Sequence, residues 1–302
     1  MAKIPGGHRV AITGILLVLV HCFCSGRPAA VPPTASDTAA APARLYRVSL
    51  KDGSEIIGVM LRQTLDSLVF RTGSNLTFAL SRLQVAELDE LSGTMQDGEY
   101  QRSDPNQSRL FFGPTARPVR GGYFADYEIF FPFLSFGIAD ILTISGGMTL
   151  IPGATDQLFY VAPKISIPLG TESFSLAGGI VYTNLISGDA EGGGIAYGVT
   201  TIGSGSASLT VGVGWGFTGG EFSTSPVVLL GAEARLSNSV AVISENWIPT
   251  GGDVQLISFG FRFFGDHLSA DLGFFYPVGS SSTSGFPFLP WLGFCYNFGG
   301  GS

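Results

Sequence analysis

Charged side chains are scarce in this sequence. Asp, Glu, Lys and Arg make up 13% of its 302 residues, and the mean hydropathy of +0.35 is high for a soluble protein. The charges that are present sum to −7. A protein that binds nucleic acid needs a basic surface, so the composition excludes nucleic acid as a partner.

The body of the chain also lacks long apolar runs. None reaches 18 residues, the length at which a helical membrane span is expected. Cysteine is almost absent, and its three positions are Cys22, Cys24 and Cys295. The first two fall in a predicted signal peptide, so we expect no disulfide in the mature chain and interpret Cys295 as a packing residue.

The first 26 residues have the pattern of a secretory signal peptide. Lys3 and Arg9 precede the apolar run “VAITGILLVLV”, and small residues follow up to Gly26. A charged start, an apolar centre and a small-residue end predict export, with cleavage near residues 24–26. Residues 27–43 are rich in Pro, Ala and Thr and predict a disordered linker.

Residues 44–91 form a different unit of short alternating stretches. An Asp-Gly turn at Lys51–Ser54 joins “LYRVSL” to “EIIGVMLR”, which predicts a hairpin, and three more strands follow. The stretch Val48–Gly58, “VSLKDGSEIIG”, resembles the opening of SH3-like and Sm-like domains. This resemblance implies a small β-barrel. Sm-like proteins can bind RNA, but the chain has no basic cluster, so we expect a periplasmic protein partner instead. Residues 92–107 predict a polar linker.

The rest of the chain consists of predicted strands that contain many glycines. In Ala207–Phe217, “ASLTVGVGWGF”, odd positions are apolar and even positions are small or polar, which indicates a strand with two unlike faces. Glycine in a strand packs nothing and costs backbone entropy. Such a strand fits a closed barrel in which the apolar face contacts lipid and the face of small residues lines the lumen. Twelve such strands are predicted, at 108–116, 123–136, 141–150, 158–168, 173–185, 194–202, 207–217, 226–235, 240–247, 254–263, 268–278 and 288–298.

Charges in these strands fall on the small-residue face. The candidates for lining the lumen are Lys164, Glu233, Arg235, Arg262 and Asp271. The turn “FGDH” is expected to place Arg262 opposite Ser269 and diagonal to Asp271. These charges are compatible both with a pore filter and with a salt-bridged plug, because a barrel of twelve strands lies between the filled and the channel-forming sizes.

The connections between the predicted strands alternate in length. Longer connections such as “TGGEFSTS” alternate with shorter ones such as “LSNS”. Membrane barrels have short periplasmic turns and longer external loops, whereas a soluble secreted β-sandwich, the minor alternative, has no reason to alternate. The sequence therefore predicts an all-β chain, with a transmembrane antiparallel barrel of about twelve strands over 108–298 that follows the small β domain.

Two further features resemble bacterial outer-membrane proteins. The last strand, “LGFCYNF”, ends on alternating aromatics at Phe298, as the C-terminal strands of outer-membrane barrels do. The stretches “SRLFFGPTARP” (108–118) and “VISENW” (242–247) resemble uncharacterised outer-membrane proteins of the Bacteroidetes type, over residues 105–298. The resemblance implies the outer membrane of a Gram-negative bacterium, with outer-membrane lipid and the barrel assembly machinery as partners. It implies no activity.

Histidine occurs only three times, which argues against catalysis. His8 and His21 lie in the signal peptide, and His267 lies in a short turn, out of reach of a lipid ester in the outer leaflet. No Cys, His or acidic cluster has metal-ligand spacing. We therefore expect no enzyme, no cofactor and no metal site. Two functional hypotheses follow: a structural or adaptor barrel with a periplasmic β domain, and a narrow passive diffusion channel for small solutes.

Overall fold

The computed structural model describes residues 44–91, 93–96, 98–167, 169, 173–188, 190–252, 254–279 and 288–298. The predicted signal peptide, 1–26, and the predicted linker, 27–43, lie outside the described residues. Among the residues described, no helix is both long and apolar enough to cross a membrane.

The first five strands form an antiparallel sheet, which we call the N-terminal sheet. Its strands are β1 (Leu45–Leu50), β2 (Glu55–Gln63), β3 (Ser67–Thr72), β4 (Thr77–Ser81) and β5 (Val85–Leu91), in the spatial order β4-β3-β2-β1-β5. The Asp-Gly turn forms as predicted: Gly53 has a φ of 87° and the Asp52 carboxylate accepts the Ser54 N–H at 2.9 Å. Val48 and Phe70 are fully buried at the centre of this sheet.

A short hairpin follows, in a region that the sequence predicts to be a linker. It consists of β6 (Gly93–Gln96) and β7 (Glu99–Arg102), so the prediction for 92–107 is wrong over most of its first half. These strands are polar and show no apolar alternation; contacts to the turns of the following barrel hold them. Arg102 binds Asp266 at 2.8 Å and its N–H donates to Asn238 at 2.7 Å. Burial and the Asp266 carboxylate raise the pKa of Tyr100, also in this hairpin, to about 12.

The remaining strands close into an antiparallel barrel. They are β8 (Gly122–Tyr127), β9 (Phe131–Ile138), β10 (Leu142–Met148), β11 (Leu158–Ile167), β12 (Phe174–Leu185), β13 (Gly193–Gly203), β14 (Ala207–Thr218), β15 (Glu221–Phe222), β16 (Val227–Ser237), β17 (Val240–Pro249), β18 (Gln255–Phe264), β19 (Leu268–Val278) and β20 (Leu289–Asn297). The two-residue β15 only extends the end of β14. The other twelve described strands form the wall, which closes where β20 pairs with β8. The predicted barrel of about twelve strands is confirmed.

Two of the twelve predicted strands are assigned wrongly, and because one error adds a strand and the other removes one, the total stays at twelve. Residues 108–116 do not belong to the wall, and the predicted strand 123–136 is the hairpin of β8 and β9. The turn between them uses Glu128 and Ile129 at φ of 53° and 70°. Non-glycine residues rarely adopt this conformation, and “YEIFF” contains no Gly, Pro or Asn to mark a turn. The alternating pattern over 123–136 therefore predicts one continuous strand where the structure has two.

The two faces of the wall are those that the alternation predicts. On β14, Leu209, Val211 and Trp215 are exposed on the outside, while Thr210 and Gly212 are buried inside. On β18, Phe259, Phe261 and Phe263 likewise point outward, and Ser258 and Arg262 inward. A closed antiparallel wall with an apolar exterior and a small, polar interior is the arrangement of a transmembrane barrel.

The two ends of the barrel differ in the length of their connections. At one end the described turns 139–141, 204–206, 238–239 and 265–267 join consecutive strands with two or three residues. At the other end lie the longer loops 149–157 and 219–226, together with the three-residue turn 128–130. We call these the short-turn end and the long-loop end. The hairpin β6–β7 contacts the barrel at the short-turn end, through Asn238 and Asp266.

A charge on the outer face tests which side of the wall meets lipid. Phe261→Arg should impair barrel assembly, because an arginine facing lipid costs about 2–4 kcal/mol at the bilayer midplane. The measurement is the fraction of heat-modifiable, folded protein in the membrane. Leu83→Arg is the matched control, since Leu83 is an exposed apolar residue of the N-terminal sheet and should tolerate the charge. Equal assembly of both variants would contradict a lipid-facing phenylalanine row.

Candidate functional site

The chain between β7 and β8 runs through the inside of the barrel. We call this segment, residues 103–121, the lumen loop. It leaves Arg102 at the short-turn end, reverses direction at Leu110–Gly113 and returns to Gly122. The reversal is closed by backbone hydrogen bonds from Leu110 N–H to Gly113 O, 2.8 Å, and from Thr115 N–H to Ser108 O, 3.1 Å. Leu110 and Phe111 at its tip are fully buried, whereas the Phe112 ring is 39% exposed.

Arg262, on β18, holds the loop from one side of the wall. Its guanidinium forms a two-point ion pair with Asp271, on β19, at 2.6 and 3.0 Å. It also binds Asp104 of the lumen loop at 2.9 Å and donates to the backbone carbonyls of Asn106, Arg109 and Leu110. Arg262 is completely buried. Its five N–H donors thereby serve both the wall and the loop.

Lys164, on β11, holds the same loop from the other side. Its ammonium donates to three backbone carbonyls of the loop, those of Ser108, Thr115 and Arg117, at 3.3, 3.1 and 2.7 Å. Strands β11 and β18 are six positions apart around the twelve-stranded ring. They are therefore opposite walls, and the lumen loop bridges the full width of the barrel between Lys164 and Arg262.

Glu245, on β17, binds the tip of the loop. Its carboxylate accepts the backbone N–H groups of Phe111, Phe112 and Gly113 at 2.8 to 3.1 Å, and the indole N–H of Trp247 at 2.7 Å. Four donors around one buried carboxylate satisfy it without a cation. The Phe112 ring stacks on Trp247, with ring centroids 5.5 Å apart and planes 1° from parallel.

These contacts join the two motifs quoted from the sequence. “SRLFFGPTARP” is the turning part of the lumen loop, and “VISENW” supplies the Glu245 and Trp247 that receive it. Nothing in their spacing predicts this meeting, because 132 to 134 residues separate the bonded groups.

Wall glycines give the loop its space. A Cβ placed on Gly137, on β9, would overlap the backbone oxygen of Val119 in the lumen loop. A Cβ on Gly231, on β16, would overlap the side chain of Leu110, and one on Gly273, on β19, would lie 2.8 Å from the Phe111 ring. These three glycines on the inner face are thus contact sites for the lumen loop.

The other lumen candidates named from the sequence lie as follows. Glu233, on β16, is buried on the inner face, and Asp271 is directly opposite Arg262 in the β18–β19 register. The expected register, with Arg262 opposite Ser269, is wrong by two residues: Ser269 pairs with Phe264. Arg235 is only partly buried, and its guanidinium lies 4.9 Å from the Phe264 ring near the short-turn end.

Sequence reasoning missed the loop's own contributions and Glu245. On β17 the inward residues are Ile243, Glu245 and Trp247, and the outward ones include Ser244 and Asn246. Val242 and Ile248 also point outward, so both faces of this strand carry apolar residues and the alternation does not identify Glu245. Among the described residues, no group of three or more His, Cys, Asp or Glu is arranged to hold a metal ion.

An apolar cavity of about 560 Å³ occupies the lumen beside the loop. Many of its lining residues are aromatic; Tyr160 and Trp247 lie near the long-loop end, and Tyr123 lies near the short-turn end. Arg109 of the lumen loop and Lys164 are its cationic lining residues. The Arg109 guanidinium lies 4.7 Å from the Tyr127 ring centre and 5.3 Å from that of Phe133.

A single added methyl group tests whether the loop is packed against the wall. Gly137→Ala should lower stability by about 1–3 kcal/mol, the usual cost of overpacking, because the new Cβ overlaps loop backbone. Gly198→Ala is the control, since Gly198 is exposed on the outside of β13 and its Cβ would meet no atom within 4 Å. The measurement is the temperature at which each variant loses its heat-modifiable gel mobility. Equal temperatures would contradict the packed loop.

No protein-family model and no curated protein matches the chain. Among solved structures, the KdgM porin is similar, with a TM-score of 0.45 and 9% identity over 59% of this chain and 97% of that chain. A loop-deletion mutant of OmpT, an outer membrane protein of Vibrio cholerae, has a TM-score of 0.32 and 12% identity over 84% and 96% of the two chains. A triple mutant of the Rhodopseudomonas blastica porin has a TM-score of 0.32 and 12% identity over 85% and 98%. The barrel assignment rests on the strand pairing described above.

Proposed function

We propose that the protein is an outer-membrane barrel that is closed by its own lumen loop and that carries the N-terminal sheet as a periplasmic adaptor module. The observation that carries the proposal is the bridge across the barrel, in which Lys164 and Arg262 bind the lumen loop from opposite walls. The function is structural: the barrel anchors, and the sheet at its short-turn end makes the contact.

The outer face supports the membrane location. Rows of apolar residues cover the exterior of the closed wall, with Leu209, Val211 and Trp215 on one strand and Phe259 and Phe261 on another. In water such a surface would associate, whereas lipid satisfies it. Together with the predicted cleaved signal peptide, this favours the outer membrane, reached through the barrel assembly machinery, with the short-turn end in the periplasm.

The closed state is supported by the way the loop is held. Side-chain bonds attach its two limbs and its tip to the wall. Arg262 binds Asp104 on the first limb, and Glu245 binds the tip. On the returning limb, the Ala116 N–H donates to the Thr201 hydroxyl at 2.9 Å. Breaking a buried ion pair leaves an uncompensated charge and costs about 3–5 kcal/mol. A solute that crosses the barrel would have to displace several such contacts together, so the passive-channel hypothesis is disfavoured.

The adaptor role is supported by the surface of the N-terminal sheet. Its strand order, with β5 beside β1, is consistent with an SH3-like or Sm-like module, and β4 has one described neighbour, β3. Unpaired strand edges are ready sites for another chain. Leu65, Leu76 and Leu83 are exposed in the connections between its strands. Exposed apolar residues without a basic cluster favour a protein over nucleic acid.

Electrical recording in planar bilayers tests the closed barrel. The wild-type protein should give no regular conductance steps. Replacing residues 108–115 by Gly-Ser-Gly-Ser removes the tip, two of the three carbonyls that Lys164 binds and two of the three that Arg262 binds. It should produce steady ohmic steps. Glu221→Gln, on the exposed β15, is the control and should stay silent. Regular steps from the wild type would contradict the proposal.

Photo-crosslinking in cells tests the adaptor role separately. A photoreactive phenylalanine at position 83, where Leu83 is 81% exposed, should give one discrete cross-linked band after irradiation. The same residue at position 209, on the outer face of β14, should give none, since it faces lipid. Absence of a band at position 83, and at position 65 as a second site, would remove the adaptor role and leave the closed barrel standing.

A further inference from the structure

We propose that the cavity beside the lumen loop is a binding site for an apolar carboxylate, with Arg109 as the residue that receives the carboxylate. The inference goes beyond the structural function proposed above. It rests on three features of one place: an apolar cavity, a buried guanidinium with an unused donor, and positive charge without a carboxylate partner.

The cavity has the dimensions and lining of a ligand site. Its volume is about 560 Å³, within the range of about 300–1,000 Å³ that is typical of small-molecule sites, which are mostly apolar with a few polar groups. Aromatic rings such as Phe133, Tyr160 and Trp291 and aliphatic groups such as Val181 and Leu229 line it. Such walls suit an acyl chain or a hydrocarbon ring system.

Arg109 brings an unsatisfied donor to this cavity. Its Nε donates to the Asn106 side chain at 2.6 Å and one Nη donates to the Phe111 carbonyl at 3.3 Å. The second, Nη2, is buried and has no hydrogen-bond partner among the described residues. The residue is 4% exposed. A buried donor left unpaired destabilises the protein, and a charged one does so more strongly, so an acceptor at this place is favoured.

Among the described residues, neither cation of the cavity has a carboxylate within ion-pair distance, and Asp271 attracts Arg109 only from farther away. The described ion pairs that lie inside the lumen join Asp104 and Asp271 to Arg262. Lys164 is bound only by carbonyls, and Arg109 by an amide, a carbonyl and rings. Buried charges in proteins are normally paired. A ligand carboxylate would supply both the missing negative charge and an acceptor for the free Nη2.

The position of the cavity sets the direction of entry. The lumen loop lines one side of the cavity through residues such as Ser108 and Arg109, and its reversal is held by Glu245. Several lining residues follow directly on the longer loops: Leu158 begins β11 after 149–157, and Val227 begins β16 after 219–226. A ligand would therefore enter from the long-loop end, which is the external side in the proposed orientation.

Tryptophan quenching in lipid nanodiscs tests the proposal. The chain has three tryptophans; Trp247 and Trp291 line the cavity, and Trp215 faces outward. In a Trp215→Phe background, 11-bromoundecanoate should quench the two remaining tryptophans saturably. The matched alcohol, 11-bromoundecanol, should bind at least about tenfold more weakly, because it lacks the charge for Arg109. Equal affinity for acid and alcohol, or quenching that does not saturate, would overturn the proposal.

Three variants separate the parts of the site. Arg109→Gln should reduce the affinity for the acid to that for the alcohol. Ala162→Phe, which fills the cavity from β11 and keeps both cations, should abolish binding of both probes. Arg235→Gln removes a cation near the short-turn end, outside the cavity, and should change neither. Unchanged acid binding in folded Arg109→Gln would overturn the assignment. If that variant does not fold, the difference in affinity between acid and alcohol in the Trp215→Phe protein, whose lumen is unchanged, tests the role of Arg109.

Discussion

The backbone of the lumen loop needs hydrogen-bond partners, and the rest of the interior is built around that need. The segment from 103 to 121 has little secondary structure of its own, yet it is buried, and buried N–H and C=O groups must be paired. The wall supplies side chains instead of strands. Arg262 and Lys164 donate to carbonyls on opposite sides, and Glu245 accepts three consecutive N–H groups at the tip. In a chain with so few charges, these charges lie where irregular backbone has to be satisfied.

The same need explains the inner face of the wall. Glycine at 137 lets the backbone of the loop approach β9 to hydrogen-bond distance, with the Gly137 N–H donating to the Gly121 carbonyl at 2.7 Å. Gly231 and Gly273 make room for Leu110 and Phe111. Loop and wall are therefore complementary over much of the short-turn half. The interior beside the loop is left to aromatic side chains and an apolar cavity, so one barrel combines a filled part with a hollow one.

How far the sequence predicts this structure depends on whether the information is local. The two-residue period on β14 and β18 is local, and it predicts the strands, their faces and the lipid-exposed side. The residues 108–116 carry a similar apolar pattern, but they are a core segment of the lumen, and apolar residues suit either place. The turn at Glu128–Ile129 has no turn residue to mark it, and β17 carries apolar residues on both faces, which hides Glu245. The pairing of Arg262 with Asp104 spans 158 residues, so only the fold brings the two together.

The central claim is that the lumen loop is bound across the barrel as firmly as the wall itself. Hydrogen exchange of the folded protein in nanodiscs measures this directly at the amides of Phe111, Phe112 and Gly113, which donate to Glu245. The account predicts protection of these three amides comparable to that of paired wall amides on β17, and its loss in Glu245→Gln. Rapid exchange of the three amides in the wild type, at the rate of the exposed turn 204–206, would contradict it.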